Sequence, residues 1–226
     1  MIRLFKDFNE NISEKIIITG EQFAYLQKVM RVQIGEEISI FNSKEGEFLF
    51  QITNIEKRFL EASKIKILRT FEEPKRKIFC VFSKIKQKNA ELIIQKCTEI
   101  GVHAFIPMVT ARTVEKNLNI ERLSKIAIEA CEQCGRFDIP KILPEITINE
   151  LPKLGGNLIL LSQFDEKSSL KIEGSAFVIS GPEGGFTTQE LEFLERICIK
   201  LNVSKNILRS ETAAILGCGI VIHSII

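Results

Sequence analysis

From Ile78 to the C-terminus, short apolar runs with strand propensity alternate with longer segments that have helical periodicity. The predicted elements are, in chain order, strand Ile78–Phe82, helix Asn89–Ile100, strand Ala104–Val109, helix Ile120–Cys134, strand Leu158–Leu161, strand Ala176–Ser180, helix Thr188–Leu201, a strand around Val203–Leu208 and helix Glu211–Ile225. This alternation predicts an α/β fold, a mostly parallel sheet with helices on both faces. Ligands of such sheets bind outside the carboxyl ends of the strands, so a site is expected in the loops there.

The first part of the chain follows a different pattern, in which short β-type runs are interrupted by turn signals. Ile38–Phe41 and Phe48–Ile52 are two such runs, and a single helix is predicted from Glu21 to Arg31. Within that helix, spacings of three and four residues put Phe23, Leu26 and Met30 on one apolar face. The pattern predicts a small β-barrel or sandwich.

A linker is predicted at Phe71-Glu72-Glu73-Pro74, because a proline preceded by two acids ends the strand pattern. We therefore expect two domains, at residues 1–72 and 73–226. The 226-residue chain carries a net charge of only +2, but residues 74–140 hold 12 basic and 7 acidic side chains. No apolar run reaches the roughly 18 residues of a membrane span, and a cytoplasmic location is expected.

Gly181-Pro182-Glu183-Gly184-Gly185-Phe186 directly follows the predicted buried strand Ala176–Ser180. Its glycines allow a close approach of backbone to ligand, and Thr187-Thr188-Gln189-Glu190 matches the capping box that opens a helix. Glu183 and Phe186 stand where a dinucleotide motif needs glycine and a P-loop needs lysine, so neither NAD nor ATP is indicated. Taken alone, the loop is equally compatible with a tight turn that binds nothing.

A second strand-to-helix junction, Ile207-Leu208-Arg209-Ser210-Glu211-Thr212-Ala213, follows near the C-terminus. We expect its loop to lie beside Gly181–Phe186 if the two preceding strands are neighbours in the sheet. The helix that follows has small residues on adjoining turns, including Gly217 and Gly219. Since glycine within a helix costs about 1 kcal/mol relative to alanine, a packing reason is expected for both.

The two junctions, taken in order, resemble the bacterial small-subunit ribosomal RNA uridine-N3 methyltransferases of the knotted SPOUT superfamily. Two helical segments extend the resemblance upstream, Glu91–Val102 and Ala127–Arg136. The N-terminal match is weaker, because Ala24-Tyr25 stands where that family commonly has paired histidines. The resemblance implies a knotted SPOUT-type parallel sheet with helices on both faces, preceded by a small PUA-like β-barrel domain. It also implies a homodimer that acts on small-subunit ribosomal RNA or the assembled subunit.

The cofactor implied by the resemblance is S-adenosylmethionine. Its expected binding residues are Leu161, Ser162, Gly181, Pro182, Glu183, Gly184, Gly185, Phe186, Ile207, Leu208, Arg209, Glu211, Thr212 and Ala213. Methylation of uracil N3 requires loss of the N3 proton, and a positioned arginine stabilises the resulting anion. Arg136 and Arg209 are the candidate catalytic residues. Glu183 and Glu211 either accept a proton, bind ribose or merely cap and pair, so the proton acceptor stays unassigned.

Basic side chains provide candidate contacts to RNA phosphates. The expected RNA-binding residues are Arg31, Lys75, Lys84, Lys86, Lys88 and Arg112. For each residue taken singly, an ordinary solvated surface is nearly as good an explanation. A noncatalytic RNA-binding protein, or a methyltransferase acting on a different RNA position, is the alternative function.

No metal site is expected from the cysteines and histidines. Cys131 and Cys134 lie within one predicted helix, and no second Cys or His pair has metal-ligand spacing. All six cysteines are predicted to be reduced structural thiols.

Overall fold

The structure is a computed structural model that describes residues 1–6, 12–115, 117–162 and 172–225. The chain divides into two compact units. The first unit comprises Met1–Glu73 together with Cys131–Ile139, and the second comprises Pro74–Ala130 and Pro140–Ile226. The first unit thus includes a segment that lies far along the chain from the expected linker. Within the described ranges, none of the helices is long and apolar enough to cross a membrane.

The first unit is built on a five-stranded sheet with the strand order β1-β3-β4-β5-β2. Its strands are β1 Ile2–Phe5, β2 Lys15–Thr19, β3 Glu37–Asn42, β4 Gly46–Ile55 and β5 Phe59–Thr70. Neighbours are antiparallel except for β1, which runs parallel to β3. Alternating inward side chains, among them Ile38, Ile40, Phe50 and Leu60, form its buried core.

The helix predicted in this unit starts as predicted but ends differently. It consists of α1, Gly20–Ala24, followed by a π-helix, Tyr25–Met30. Phe23 and Leu26 are buried as predicted, whereas Met30 is 41% exposed, so its predicted place on the apolar face is wrong. The wider π-helical turn rotates later residues away from the face that a 3.6-residue period predicts.

Glu47 is the centre of a buried polar network in the first unit. Only 3% of the residue is exposed, and it accepts hydrogen bonds from Arg3 at 2.7 Å, from Arg69 at 2.8 Å and from the Ser39 hydroxyl. Arg3 also donates to the carbonyls of Cys131, Glu132 and Arg136, so the network holds the segment Cys131–Ile139. Burial raises the pKa of Glu47, but the hydrogen bonds from Arg3, Ser39 and Arg69 outweigh it and lower that pKa below its ordinary value.

The second unit contains a seven-stranded sheet with the strand order β12-β10-β11-β6-β7-β8, and β9 pairs with β7. These strands are β6 Ile78–Ser83, β7 Ala104–Val109, β8 Lys141–Ile142, β9 Ile146–Thr147, β10 Asn157–Ser162, β11 Ala176–Ser180 and β12 Ile199–Asn202. All neighbouring strands are parallel, which confirms the predicted sheet type.

Helices cover both faces of this sheet, as predicted. They are α2 Gln87–Ile100, α3 Ile120–Cys134, a 3₁₀-helix Ile148–Leu154, α4 Thr188–Ile197 and α5 Ser210–Ile225. On one face, Val81 and Ile179 of the sheet pack with Leu151 and Leu194. On the other, α5 packs against α2 and against β6, β10 and β11.

The last strand of the sheet was misplaced by the sequence prediction. The helix predicted to run to Leu201 ends at Ile197, and residues 199–202 form β12. The strand predicted around Val203–Leu208 is therefore wrong, since those residues have no strand structure. Ile199 pairs with Ile159 of β10, and this pairing at the sheet edge overrides the local helical pattern.

Candidate functional site

The two glycine- and polar-rich junctions meet at the carboxyl end of β11. Ser210, the first residue of α5, donates from its hydroxyl to the carbonyl of Gly181 at 2.6 Å. The strands that precede the two junctions, β11 and β12, are not neighbours, because β10 lies between them. The junctions nevertheless meet. Residues 203–209 form a connection without strand structure that brings the start of α5 to the end of β11.

A cavity of about 1100 Å³ lies between these junctions, in the second unit. Its volume is slightly above the usual range for small-molecule sites, roughly 300–1,000 Å³. The predicted binding residues that line it are Leu161, Ser162, Gly181, Pro182, Glu183, Gly184, Gly185, Phe186, Ile207, Leu208, Arg209, Glu211 and Ala213. Thr212 is exposed and is not among the lining residues.

Sequence reasoning missed several other residues that line this cavity. They include Asn89, Leu160, Ser180, Leu191, Ser204 and Ser210. Ser180 and Ser210 adjoin the recognised motifs, so their positions directly beside the two loops were the available signal. Asn89 and Leu191 lie on helices α2 and α4, whose approach to the loops is decided by packing.

The loop Gly181–Phe186 owes its shape to its glycines and to its own aromatic ring. Gly185 has a φ of +70° and donates its N–H to the carbonyl of Pro182 at 2.9 Å, which closes a turn. A Cβ atom added to Gly181 would lie 2.7 Å from the Phe186 ring, so only glycine permits this close packing. The predicted capping box follows, with Thr187 and Glu190 hydrogen-bonded reciprocally.

Arg112, from the loop after β7, holds the loop Gly181–Phe186 from outside. Its guanidinium donates to the carbonyls of Gly184 at 2.8 Å and Phe186 at 3.3 Å. In the same segment the Ala111 N–H donates to the Glu190 carboxylate at 2.7 Å. Arg112 is exposed, so its predicted contact with RNA stays a prediction, and the structure adds a role in shaping the loop.

The charged groups of the cavity differ in how they are partnered. Glu183 accepts a hydrogen bond from Asn89 at 3.0 Å, and Arg209 is exposed. Within the described ranges the Arg209 guanidinium makes no hydrogen bond or ion pair, so it is available to a ligand. Glu211 is 5% exposed, and its buried Oε2 atom has no hydrogen-bond partner among the described residues.

Arg136, the other candidate catalytic residue, belongs to the first unit and does not line the cavity. Its guanidinium binds Asp138 through two hydrogen bonds, of 3.0 and 2.6 Å. Its side chain is 14% exposed. Arg136 is thus held in a bidentate pair, and its catalytic role stays a prediction.

The residues predicted to contact RNA lie in different environments. Lys75, Lys86 and Lys88 are exposed around β6 and the start of α2, and Lys86 also lines the cavity. Arg31 is exposed in the first unit, at the end of the π-helix. Lys84 is buried and forms an ion pair with Glu145 at 2.8 Å, so a phosphate contact would require this pair to open.

Three of the six cysteines converge in the core of the second unit. The sulfur atoms of Cys80, Cys97 and Cys218 all lie within 4.8 Å of one another, and all three residues are buried. No sequence pattern predicts this cluster, because β6, α2 and α5 contribute one thiol each. Small buried thiols commonly act as apolar packing groups, and the expectation of no metal stays a prediction.

Cys134 is the one exposed cysteine, and we expect it to react first with a thiol reagent in the native protein. Burial raises the pKa of Cys131 and of Cys198 to about 12, so few of these thiols are thiolates at pH 8. Titration with a chromogenic disulfide reagent checks this expectation. A fast phase that persists in Cys134→Ala would contradict it.

Comparisons with known proteins agree with this architecture. The protein-family model of the RNA methyltransferase domain matches residues 72–222, and the family model of the RNA methyltransferase PUA domain matches residues 18–65. A ribosomal RNA small subunit methyltransferase E from Rickettsia conorii is 36% identical over 203 residues, covering 84% of this chain and 82% of the relative. One from Bacillus subtilis is 31% identical, covering 87% of this chain and 85% of the relative.

Among solved structures, this chain is similar to the ribosomal RNA small subunit methyltransferase E from Neisseria gonorrhoeae bound to S-adenosyl methionine. The TM-score is 0.87 at 28% identity, and the match covers 97% of this chain and 96% of the other. The similarity therefore extends over both units.

Proposed function

Because this chain belongs to the family of ribosomal RNA small subunit methyltransferases E, we propose that it transfers a methyl group from S-adenosylmethionine to ribosomal RNA of the small subunit. The observation that carries this proposal is the convergence of the two predicted loops on one cavity at the carboxyl ends of parallel strands. This is where α/β sheets bind ligands. The SPOUT-type fold expected from the sequence is confirmed by the parallel sheet, its helices and its structural relatives.

The residues of the cavity fit S-adenosylmethionine. Leu161, Phe186 and Leu208 provide apolar surface for an adenine ring, and the backbone of Gly181–Phe186 offers polar groups for its edge. Glu211 adds a buried carboxylate to the cavity lining, and such a group would balance the positive charge of the cofactor. When bound, S-adenosylmethionine supplies an electrophilic methyl group on a sulfonium sulfur.

We propose N3 of a uridine as the position that is methylated. The neutral imide nitrogen has no free lone pair, so the enzyme must stabilise the anion that forms when its proton leaves. Arg209 lines the cavity, and its guanidinium has no partner among the described residues, which supports a role in stabilising that negative charge. We also propose a homodimer and, as a second catalytic residue, Arg136.

We further propose that residues 1–72 bind RNA as a PUA-like domain, while residues 73–226 carry out the transfer. The match of residues 18–65 to the RNA methyltransferase PUA domain supports this division. Arg31, Lys75, Lys86 and Lys88 are exposed cations that suit RNA phosphates. Since ribosomal subunits are assembled in the bacterial cytoplasm, we place the protein there.

A labelling experiment tests the activity and its position. The protein is incubated with tritiated S-adenosylmethionine and small subunits from a strain that lacks the endogenous enzyme, and the label is mapped by nuclease digestion and mass spectrometry. The expected product is a single N3-methyluridine. Label on another atom would overturn the position alone. No incorporation, together with no cofactor binding by calorimetry, would favour a noncatalytic RNA-binding protein.

Loss of the Arg112 side chain is expected to weaken cofactor binding. Arg112→Ala removes two hydrogen bonds to the carbonyls of the loop, so we expect about a fivefold to tenfold lower affinity for S-adenosylmethionine. Isothermal titration calorimetry measures it. Arg122→Ala, an exposed arginine on α3, is the matched control. If Arg112→Ala binds the cofactor as tightly as the wild type but binds RNA more weakly and with less dependence on salt, Arg112 contacts RNA and does not support the cofactor loop.

A further inference from the structure

Glu211 is buried, yet one of its carboxylate oxygens has no hydrogen-bond partner among the described residues. It is the second residue of α5, it is 95% shielded from solvent, and it lines the cavity. Its Oε2 atom has no hydrogen-bond donor within reach among the described residues. A buried polar atom without a partner is unfavourable, and more so when it is charged, so a folded protein rarely keeps one without a reason.

Among the described residues, the other two carboxylates that line the cavity have partners. Glu183 accepts a hydrogen bond from Asn89, and Glu195 forms an ion pair with Lys200 at 3.3 Å and is half-exposed. Glu211 has no such cation: Arg209 lies two residues earlier, but within the described ranges no ion pair joins them. The amino end of α5 provides a partial positive charge nearby. The cavity therefore contains one buried carboxyl group whose partner the described residues do not supply.

The charge balance of the proposed reaction shows what such a carboxylate does. When the methyl group moves, the S–CH₃ bond breaks and its electron pair remains on sulfur, so the positive charge of the sulfonium disappears. The N3–H bond breaks, its electron pair forms the new N3–CH₃ bond, and one proton is released. An isolated charge that is shielded from water is costly both before and after this step.

We propose that the carboxylate of Glu211 accepts the N3 proton, having balanced the positive charge of the cofactor before the transfer. The inference rests on the proposed function at uridine N3. A single carboxylate then keeps the cavity close to neutral throughout, first opposite the cation and afterwards as a protonated acid. Its unpartnered oxygen fits this role, because a lone pair that accepts no hydrogen bond is free for a proton.

Glu211→Gln tests the proposal, because it removes the charge and the proton acceptor with almost no change in shape. In single-turnover assays on small subunits, we expect the rate to fall by about 10²–10⁴-fold, the usual contribution of a positioned base. The variant's rate should rise with pH, as hydroxide replaces the lost acceptor, while the wild-type rate levels off. Calorimetry should show weaker binding of S-adenosylmethionine but nearly unchanged binding of S-adenosylhomocysteine, which lacks the sulfonium charge.

The pH profile must be assigned to Glu211 rather than to its surroundings. The charged or titratable side chains that line the cavity or face α5 from β6 and α2 are Lys86, Glu183, Glu195, Arg209, Cys80 and Cys97. All are retained in the variant, so a difference between the two profiles reports Glu211. Glu192→Gln, the same change on the exposed surface of α4, is the matched control. Glu211→Asp keeps a carboxylate and should retain the wild-type shape of the profile at a lower rate.

Three outcomes would overturn the proposal. The first is a wild-type rate in Glu211→Gln, and the second is an equal loss of affinity for both ligands with the rate restored at saturating cofactor. The third is a variant whose rate falls with an unaltered pH profile. If the wild-type protein itself transfers no methyl group, the proposed function fails. The ratio of the affinities for S-adenosylmethionine and S-adenosylhomocysteine then still shows whether Glu211 interacts with the sulfonium charge.

Discussion

Arg209→Ala is expected to lower the single-turnover rate of methyl transfer by about 10²–10³-fold, the usual loss when one preorganised charge-stabilising donor is removed. The guanidinium lines the cavity, is exposed and has no partner within the described ranges, so it can be directed at a negative charge that forms on the substrate. The affinity for S-adenosylmethionine should change far less than the rate. Rapid-quench assays and calorimetry measure the two effects separately.

Two further variants decide whether Arg209 acts through its geometry. Arg209→Lys restores a positive charge without the planar fork, so we expect only partial recovery of the rate. Arg196→Ala, an exposed arginine on α4, should behave as the wild type. If Arg209→Ala keeps the wild-type rate, or if lost cofactor affinity explains its whole defect, the assignment of Arg209 as a catalytic residue is wrong.

Glu47→Ala is expected to destabilise the first unit by about 3–5 kcal/mol, the usual effect of removing one partner from a buried ion pair. It would leave Arg3 largely buried without its carboxylate, and Arg3 also holds the carbonyls of Cys131, Glu132 and Arg136. The hydrogen exchange of β3, β4 and β5 should therefore rise. Exchange monitored by mass spectrometry measures the loss in the first unit separately from the second.

The stability of the first unit should also fall in acid because of Glu47. Its folded-state pKa is lowered below the ordinary value, so its stabilising contribution is present above that ordinary value and is lost as the pH falls towards the folded-state pKa. In Glu47→Gln this part of the pH dependence should disappear. Glu36→Ala, an exposed carboxylate in the same unit, is the control and should retain it. Equal acid sensitivity of Glu47→Gln and wild type would contradict the assignment.

Much of the site was predictable because its signals are local. Glycine and proline in Gly181–Phe186, and the capping box at Thr187–Glu190, depend on backbone stereochemistry within a few residues, and both occur where they were predicted. The same holds for β7, β11 and α3, whose bounds agree with their predicted ranges. Local patterns failed at β12, where the partner strand β10 decides between helix and strand.

The sequence by itself thus determined the type of sheet and the two loops, since periodicity and turn chemistry act between near neighbours in the chain. Only the tertiary structure decided which distant groups meet: Ser210 with Gly181, Arg112 with Gly184, and Arg3 with the segment Cys131–Ile139. It also decided that Glu211 is buried, with no hydrogen-bond partner for its Oε2 atom among the described residues, while Arg209 is exposed. Burial and long-range contacts follow from the order of strands and the packing of helices, which no local pattern encodes.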